Sequence, residues 1–157
     1  MPYSPETWLR PSRRWLKLRI TEVLLTAVAL VVAAVLLSAS ASASWREAAV
    51  AGALVLSVFL LIVEVRRYFA WGYCERSRDL LVRRGVLVRR LTVVPYGRMQ
   101  LVEATAGAGE RLFGLATIKL HTAAAATDAR IPGLESEEAT RLRDQLAALG
   151  EAQAAGV

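Results

Sequence analysis

Two long apolar runs, joined by a short connection of small polar residues, constrain this chain more than any other feature. The first is Ile20-Thr21-Glu22 followed by Val23 through Ala39, and between Val23 and Leu37 only Thr26 is polar. The second is Ala48 through Val63, interrupted only by Gly52 and Ser57. At about 1.5 Å of rise per residue, roughly 20 such residues cross a hydrocarbon core of about 30 Å. The reading is a transmembrane helical hairpin over residues 20–65, with spans at about 20–39 and 48–65. A signal peptide is the rival for the first run, with an Ala-x-Ala cleavage site within Ser38–Ala43. The second run, of matching length, argues against cleavage.

The connection Ser38–Glu47 is short, so the helices are expected to run antiparallel. Trp45 suits the membrane–water interface. Ala29, Ala33, Ala34, Ala49, Ala51, Gly52 and Ala53 either let the two helices approach closely or simply face lipid, and both readings stay open. Orientation follows from basic residues. Arg10, Arg13, Arg14, Lys17 and Arg19 precede the first span, Arg66 and Arg67 follow the second, and the connection holds only Arg46. Both termini are therefore expected in the cytoplasm, in a multi-pass plasma-membrane protein. Trp8, Trp15, Tyr68 and Trp71 read as an aromatic belt at that boundary. The expected membrane-interface anchors are Trp15, Trp45, Arg66, Arg67, Tyr68 and Trp71. Glu22 and Glu64 lie near arginines at the inner helix ends, and no ionisable residue sits at mid-depth. The pair of helices is an anchor on this reading, not a conduit.

After Val65 the composition becomes that of a soluble domain. The chain has 157 residues and a net charge of +6. From Glu64 onward, 14 basic residues stand against 11 acidic ones, so much of the excess flanks the apolar spans. This charge is topological, and no nucleic-acid partner is expected. The organisation is a basic cytoplasmic segment (1–19), the hairpin (20–65), a β-rich domain (66–150) and a frayed tail (151–157).

Within that domain, strands are expected at Tyr68–Cys74, Leu80–Arg84, Val86–Val94, Met99–Thr105 and Ala116–Thr122, with Asp128–Pro132 as a last one. Gly85 makes a tight hairpin turn. Pro95-Tyr96-Gly97 breaks the run, and Glu110–Gly114 forms a helical turn. Ala123–Thr127 is a turn. Ser136 is the expected N-cap of a C-terminal helix ended by Gly150, with Leu142, Leu146 and Leu149 as its apolar stripe. Short strands followed by one amphipathic helix describe a small barrel or bent sheet plugged by that helix.

The runs Leu80–Leu87, Val94–Val102 and Arg111–Ile118, in that order, resemble the bacterial PH-like domain family. They are most similar to its YdbS-like membrane proteins, in which two transmembrane helices precede one such domain. The resemblance implies a membrane α-hairpin plus a β-rich PH-like domain: a partly open barrel of two packed antiparallel sheets, capped by a C-terminal helix. It also implies a binding or scaffold role rather than catalysis. The segment Ala104–Gly109 departs from the family pattern in being small and flexible.

No catalytic set is visible, and no cofactor or metal is expected. His121 is the single histidine and Cys74 the single cysteine. Gly107-Ala108-Gly109-Glu110 lacks the Gly-Lys-Ser/Thr signature of a phosphate loop. The notable cluster is basic: Arg83 and Arg84 on one arm of a hairpin, Arg89 and Arg90 on the other, with Arg98 added as a further lipid- or partner-binding candidate and Arg76 and Arg78 nearby. This patch either meets anionic headgroups of the inner leaflet or is a solvated edge that discourages aggregation. The leading expectation is a membrane-anchored scaffold that recruits or assembles protein partners: a larger membrane protein with PH-like domains, or its own copies. An anionic-lipid sensor and a small accessory subunit of a transporter or envelope-synthesis complex are the alternatives.

Overall fold

The computed structural model describes residues 8–40, 42–123 and 129–155. The chain divides into two compact units, one of residues 16–66 and one formed by the residues up to Trp15 together with those from Arg67 onward.

The first unit holds most of two helices, α1 (Arg13–Leu37) and α2 (Ala43–Ala70). Both are long and apolar enough to cross a membrane. α1 begins before its expected span and α2 passes beyond its own at both ends, because helical hydrogen bonding does not stop where hydrophobicity does, while α1 ends at Leu37, just short of the expected limit. Arg19 pairs with Glu22 at 2.7 Å. Within the apolar runs, Thr26 and Ser57 return their hydroxyls to the carbonyls of Glu22 and Ala53, which satisfies them without a partner helix. Ala29, Ala33, Ala49, Ala51 and Gly52 are exposed, and a Cβ built on Gly52 would meet nothing within 4 Å. Ala34 and Ala53 are half-buried.

The second unit is β-rich. Strands β1 (Gly72–Glu75), β2 (Asp79–Arg84) and β3 (Arg90–Pro95) form an antiparallel sheet A in that order. A 3-10 turn, Tyr96–Arg98, leads to β4 (Met99–Thr105). After the short helix α3 (Ala108–Leu112), strands β5 (Leu115–Thr122) and β6 (Ala129–Glu135) complete sheet B, again antiparallel and in the order β4-β5-β6. The long helix α4 (Ser136–Ala155) closes the unit. This is the expected pair of sheets with a capping helix, and the barrel is not closed.

The core explains the architecture. Leu80, Val82, Val94 and Tyr96 on the sheet A side are buried, as are Leu115, Ile118, Leu120 and Ile131 of sheet B and Leu142 and Leu146 of α4. Burying a leucine of this kind contributes about 1.5–3 kcal/mol. Leu149, the third expected member of the stripe, is only half-buried.

Several boundaries differ from expectation. Tyr68-Phe69-Ala70 are helical, because α2 continues to Ala70 before β1 begins at Gly72. Val86–Val88 are not strand but the exposed tip of the β2–β3 turn. The last strand passes through Pro132 to Glu135, since β6 is a sheet edge where a missing N–H can be tolerated. The C-terminal helix starts at Ser136 itself and runs through Gly150 to Ala155. The expected turn at Ala123–Thr127 and the start of the last strand at Asp128 fall largely outside the described residues.

Residues 8–15 are the largest departure. They belong to the β-rich unit and not to a separate segment. Leu9 exchanges two backbone hydrogen bonds of 2.9 Å with Tyr73, which adds a bridge to the outer edge of β1. Ser12 N–H donates to the Gly133 carbonyl at 2.8 Å. The Tyr68 hydroxyl donates to the Pro11 carbonyl at 3.1 Å.

Candidate functional site

The basic hairpin is the starting point. Register sets Asp79 opposite Pro95, Leu81 opposite Val93, Arg83 opposite Leu91, and Arg84 opposite Arg90. Side chains alternate along a strand, so Arg83 and Arg84 leave opposite faces of sheet A. Arg83 is half-buried with its guanidinium 4.9 Å from the centre of the Trp8 ring. Arg84 is half-buried, and Arg89 and Arg90 are exposed. The cluster therefore separates into one arginine engaged with an aromatic ring and three gathered around the turn.

Arg98 does not join them. It ends the 3-10 turn beyond Pro95, at the other end of β3 from Arg90. Five steps of ~3.3 Å from Arg90 to Pro95 put about 17 Å between the ends of the strand. Arg76 belongs to that far end as well, 3.8 Å from Asp79.

The expected aromatic belt resolves differently. Trp15, Tyr68 and Trp71 are buried inside the β-rich unit, with Trp15 only 2% exposed. Ring centroids lie 6.0 Å apart for Trp15–Tyr68 and 6.5 Å, edge to face, for Trp15–Trp71. These rings pack on one another, because the first turn of α1 is folded into the unit. Trp45, Arg66 and Arg67 are exposed. The exposed aromatic beside them is Phe69, which packs edge to face against Tyr68 and lies 5.8 Å from the Arg10 guanidinium. Its helical setting hid it from strand-based reading.

A cleft of about 180 Å³ opens beside the hairpin, lined by Arg84, Lys119, Leu120, His121, Ala129 and Arg130. Lys119 and Arg130 are cross-strand partners on β5 and β6. Sequence reading missed this grouping because its members come from three strands. The glycine-rich loop before α3 is occupied from within: Glu110 accepts from Gly107 N–H at 2.9 Å and from the Thr117 hydroxyl at 2.7 Å. No group of three or more metal-ligating side chains is found among the described residues.

The edges of sheet A are unequal. Leu9 covers the outer side of β1. Among the described residues β3 pairs only with β2, and Leu91 and Val93 along it are exposed.

At the far side, α4 is tied to β1. Arg141 binds Glu138 through two hydrogen bonds and lies 3.7 Å from Glu75. Gln145 donates to Glu75 at 2.9 Å. The Arg141 hydrogen bonds hold the Glu138 carboxyl below the usual carboxylate range. Burial first, then Glu138 and Glu75, pushes the Tyr73 phenol up to about 12. Burial likewise pushes Tyr96 up to about 12, while its hydroxyl donates to the Arg76 carbonyl at 2.9 Å.

The model of the family described as "Bacterial PH domain" matches residues 14–150 of the chain. The chain belongs to the bacterial PH domain family. It is 34% identical over 136 residues to the UPF0699 transmembrane protein YdbS of Bacillus subtilis (strain 168), an alignment covering 83% of this chain and 84% of that protein. No solved structure matches. The matched region takes in both apolar helices, so this bacterial PH-domain protein is a membrane protein with two transmembrane helices before its PH-like domain. The family is not a known class of enzyme.

Proposed function

We propose that this protein is a membrane-anchored adaptor whose PH-like domain recruits or assembles protein partners at the inner membrane surface. The observation that carries this reading is the outer edge of β3, which has no strand partner among the described residues, with Leu91 and Val93 exposed along it. An unpaired edge is a template for strand addition. Main-chain hydrogen bonds supply affinity, and alternate side-chain pockets supply selectivity. The partner this edge suits is an extended segment with apolar residues at alternate positions, offered by a larger membrane protein with PH-like domains or by a second copy. Tethering supports the reading, because confinement to one membrane raises effective concentration and lets a weak edge contact suffice.

Both termini are placed in the cytoplasm on this proposal, from the basic residues flanking the two helices. A cysteine at Ser42, between the helices, is then labelled by an impermeant maleimide added outside intact cells. Protection of Ser42→Cys in cells, with labelling only after lysis, contradicts the orientation.

The adaptor role is tested by purifying the full chain in mild detergent and identifying stoichiometric companions. A PH-like membrane protein or a homo-oligomer, lost in Leu91→Asp/Val93→Asp, is the expected result. A transporter or synthetic enzyme retained by that variant favours an accessory-subunit role instead.

A further inference from the structure

The turn between β2 and β3 carries a combination that packing does not explain. Val86, Leu87 and Val88 form its tip, and Leu87 is 98% exposed. Gly85 holds the turn at a φ of +107°, where a Cβ would lie 1.9 Å from the Val88 carbonyl oxygen. Below the tip, Arg84 and Arg90 stand directly opposite each other. Like charges in that position destabilise a sheet. Arg84, Arg89 and Arg90 make no ion pair among the described residues.

Arg84 also lines the cleft that contains Lys119, His121 and Arg130. The acidic residue in that row is Glu103, opposite Lys119 on β4, and no ion pair joins the two. Register adds a location. Arg83 is paired with Gly72, and Gly72 lies two residues beyond the last residue of α2, Ala70. The tip therefore lies at the end of sheet A where β1 begins.

An apolar tip within a basic collar is unfavourable in water. It suits a boundary where hydrocarbon begins just behind a layer of phosphates. We propose that the β2–β3 tip docks on a bilayer surface bearing anionic headgroups. Val86, Leu87 and Val88 enter the acyl boundary, Arg89 and Arg90 pair with phosphates, and the cleft beside Arg84 receives one headgroup phosphate. This goes beyond the adaptor reading, since its ligand is lipid and its surface is the turn rather than the β3 edge.

The test uses the full chain with Cys74→Ala and Leu87→Cys, the new thiol carrying a nitroxide. It is reconstituted in nanodiscs of phosphatidylcholine alone or of an equimolar mixture with phosphatidylglycerol. Depth is read from collisions with oxygen and with a water-soluble nickel chelate. Leu112→Cys, on exposed α3, is the control. In anionic discs the label at position 87 is expected to gain oxygen collisions and lose nickel collisions, while the control stays in water. Each arginine neutralised in Arg89→Gln/Arg90→Gln lowers the docked-to-undocked ratio about fivefold. Unchanged melting of that variant excludes misfolding as the cause. A label that stays in water in anionic discs overturns the proposal. So does equal embedding in neutral discs, or embedding indifferent to the arginines. Protection from both reagents means that protein covers the tip, and also overturns it.

Discussion

The indole of Trp15 fills the space that any side chain at Gly133 would need. A Cβ built on Gly133 would sit 2.3 Å from Cγ of Trp15, and Gly133 has a φ of +69°. The ring belongs to the first turn of α1 and the glycine to β6. One contact thus joins chain from before the membrane passage to chain from well after it.

Gly133→Ala is expected to cost about 2–5 kcal/mol, from the left-handed backbone (~1–2) and from overpacking against the ring (~1–3). Trp15→Ala leaves a cavity and is expected to cost about 3–5 kcal/mol. Because the two residues touch, the double variant recovers part of the sum. Thermal unfolding of the four proteins in one detergent measures the coupling, and strict additivity would contradict the contact.

The PH-like domain is incomplete without residues 8–15. A fragment of residues 67–155 lacks the Leu9 bridge, the Ser12 hydrogen bond and the Trp15 ring. It is expected to melt well below the same fragment carrying residues 8–15 on a flexible linker in place of the helices. Circular dichroism decides this, and equal melting curves would show that the segment adds nothing.

The arginines of the basic hairpin differ in what they hold. Arg83→Gln removes a cation–π contact and is expected to cost about 0.5–2 kcal/mol. Arg90→Gln relieves a like-charge pair and is expected to leave stability unchanged or slightly raised. Matched denaturant curves distinguish the two.

Alkali should loosen the domain before arginine chemistry intervenes. Tyr73 and Tyr96 both have folded-state values raised from 10 to about 12. The folded state holds these protons more tightly, so their contribution is fully present below pH 10 and is lost as pH rises towards 12. Tyr96→Phe is expected to flatten that decline. Glu138 acts in the opposite direction, its lowered value giving a contribution lost as pH falls. The Arg141–Glu138 pair is solvent-screened, so that acid effect should be small. Melting temperature against pH checks both limbs.

The apolar helices, the strand series and the C-terminal helix were legible because each rests on local periodicity. β4 was placed to the residue, since Met99–Thr105 alternates and has clear breaks on both sides. The errors came where local pattern and tertiary setting diverge. Val86-Leu87-Val88 has strand composition, yet Gly85 turns the chain before those residues can pair. Trp15, Tyr68 and Trp71 have the composition of a membrane belt and are buried, Trp15 and Tyr68 where residues 8–15 pack on the β-rich unit. Of the candidate site, the arginine pairs were readable from adjacency. The removal of Arg98 from the cluster, and the addition of Lys119 and Arg130, required register across two sheets.

The central claim is that the domain binds a protein through the outer edge of β3. The most direct measurement is photo-crosslinking in native membranes with a benzophenone side chain at Val93, beside a control at Leu112. A single adduct of defined mass at Val93, abolished by Leu91→Asp and absent at Leu112, is the predicted result. No adduct at Val93, or the same pattern at both positions, would contradict it.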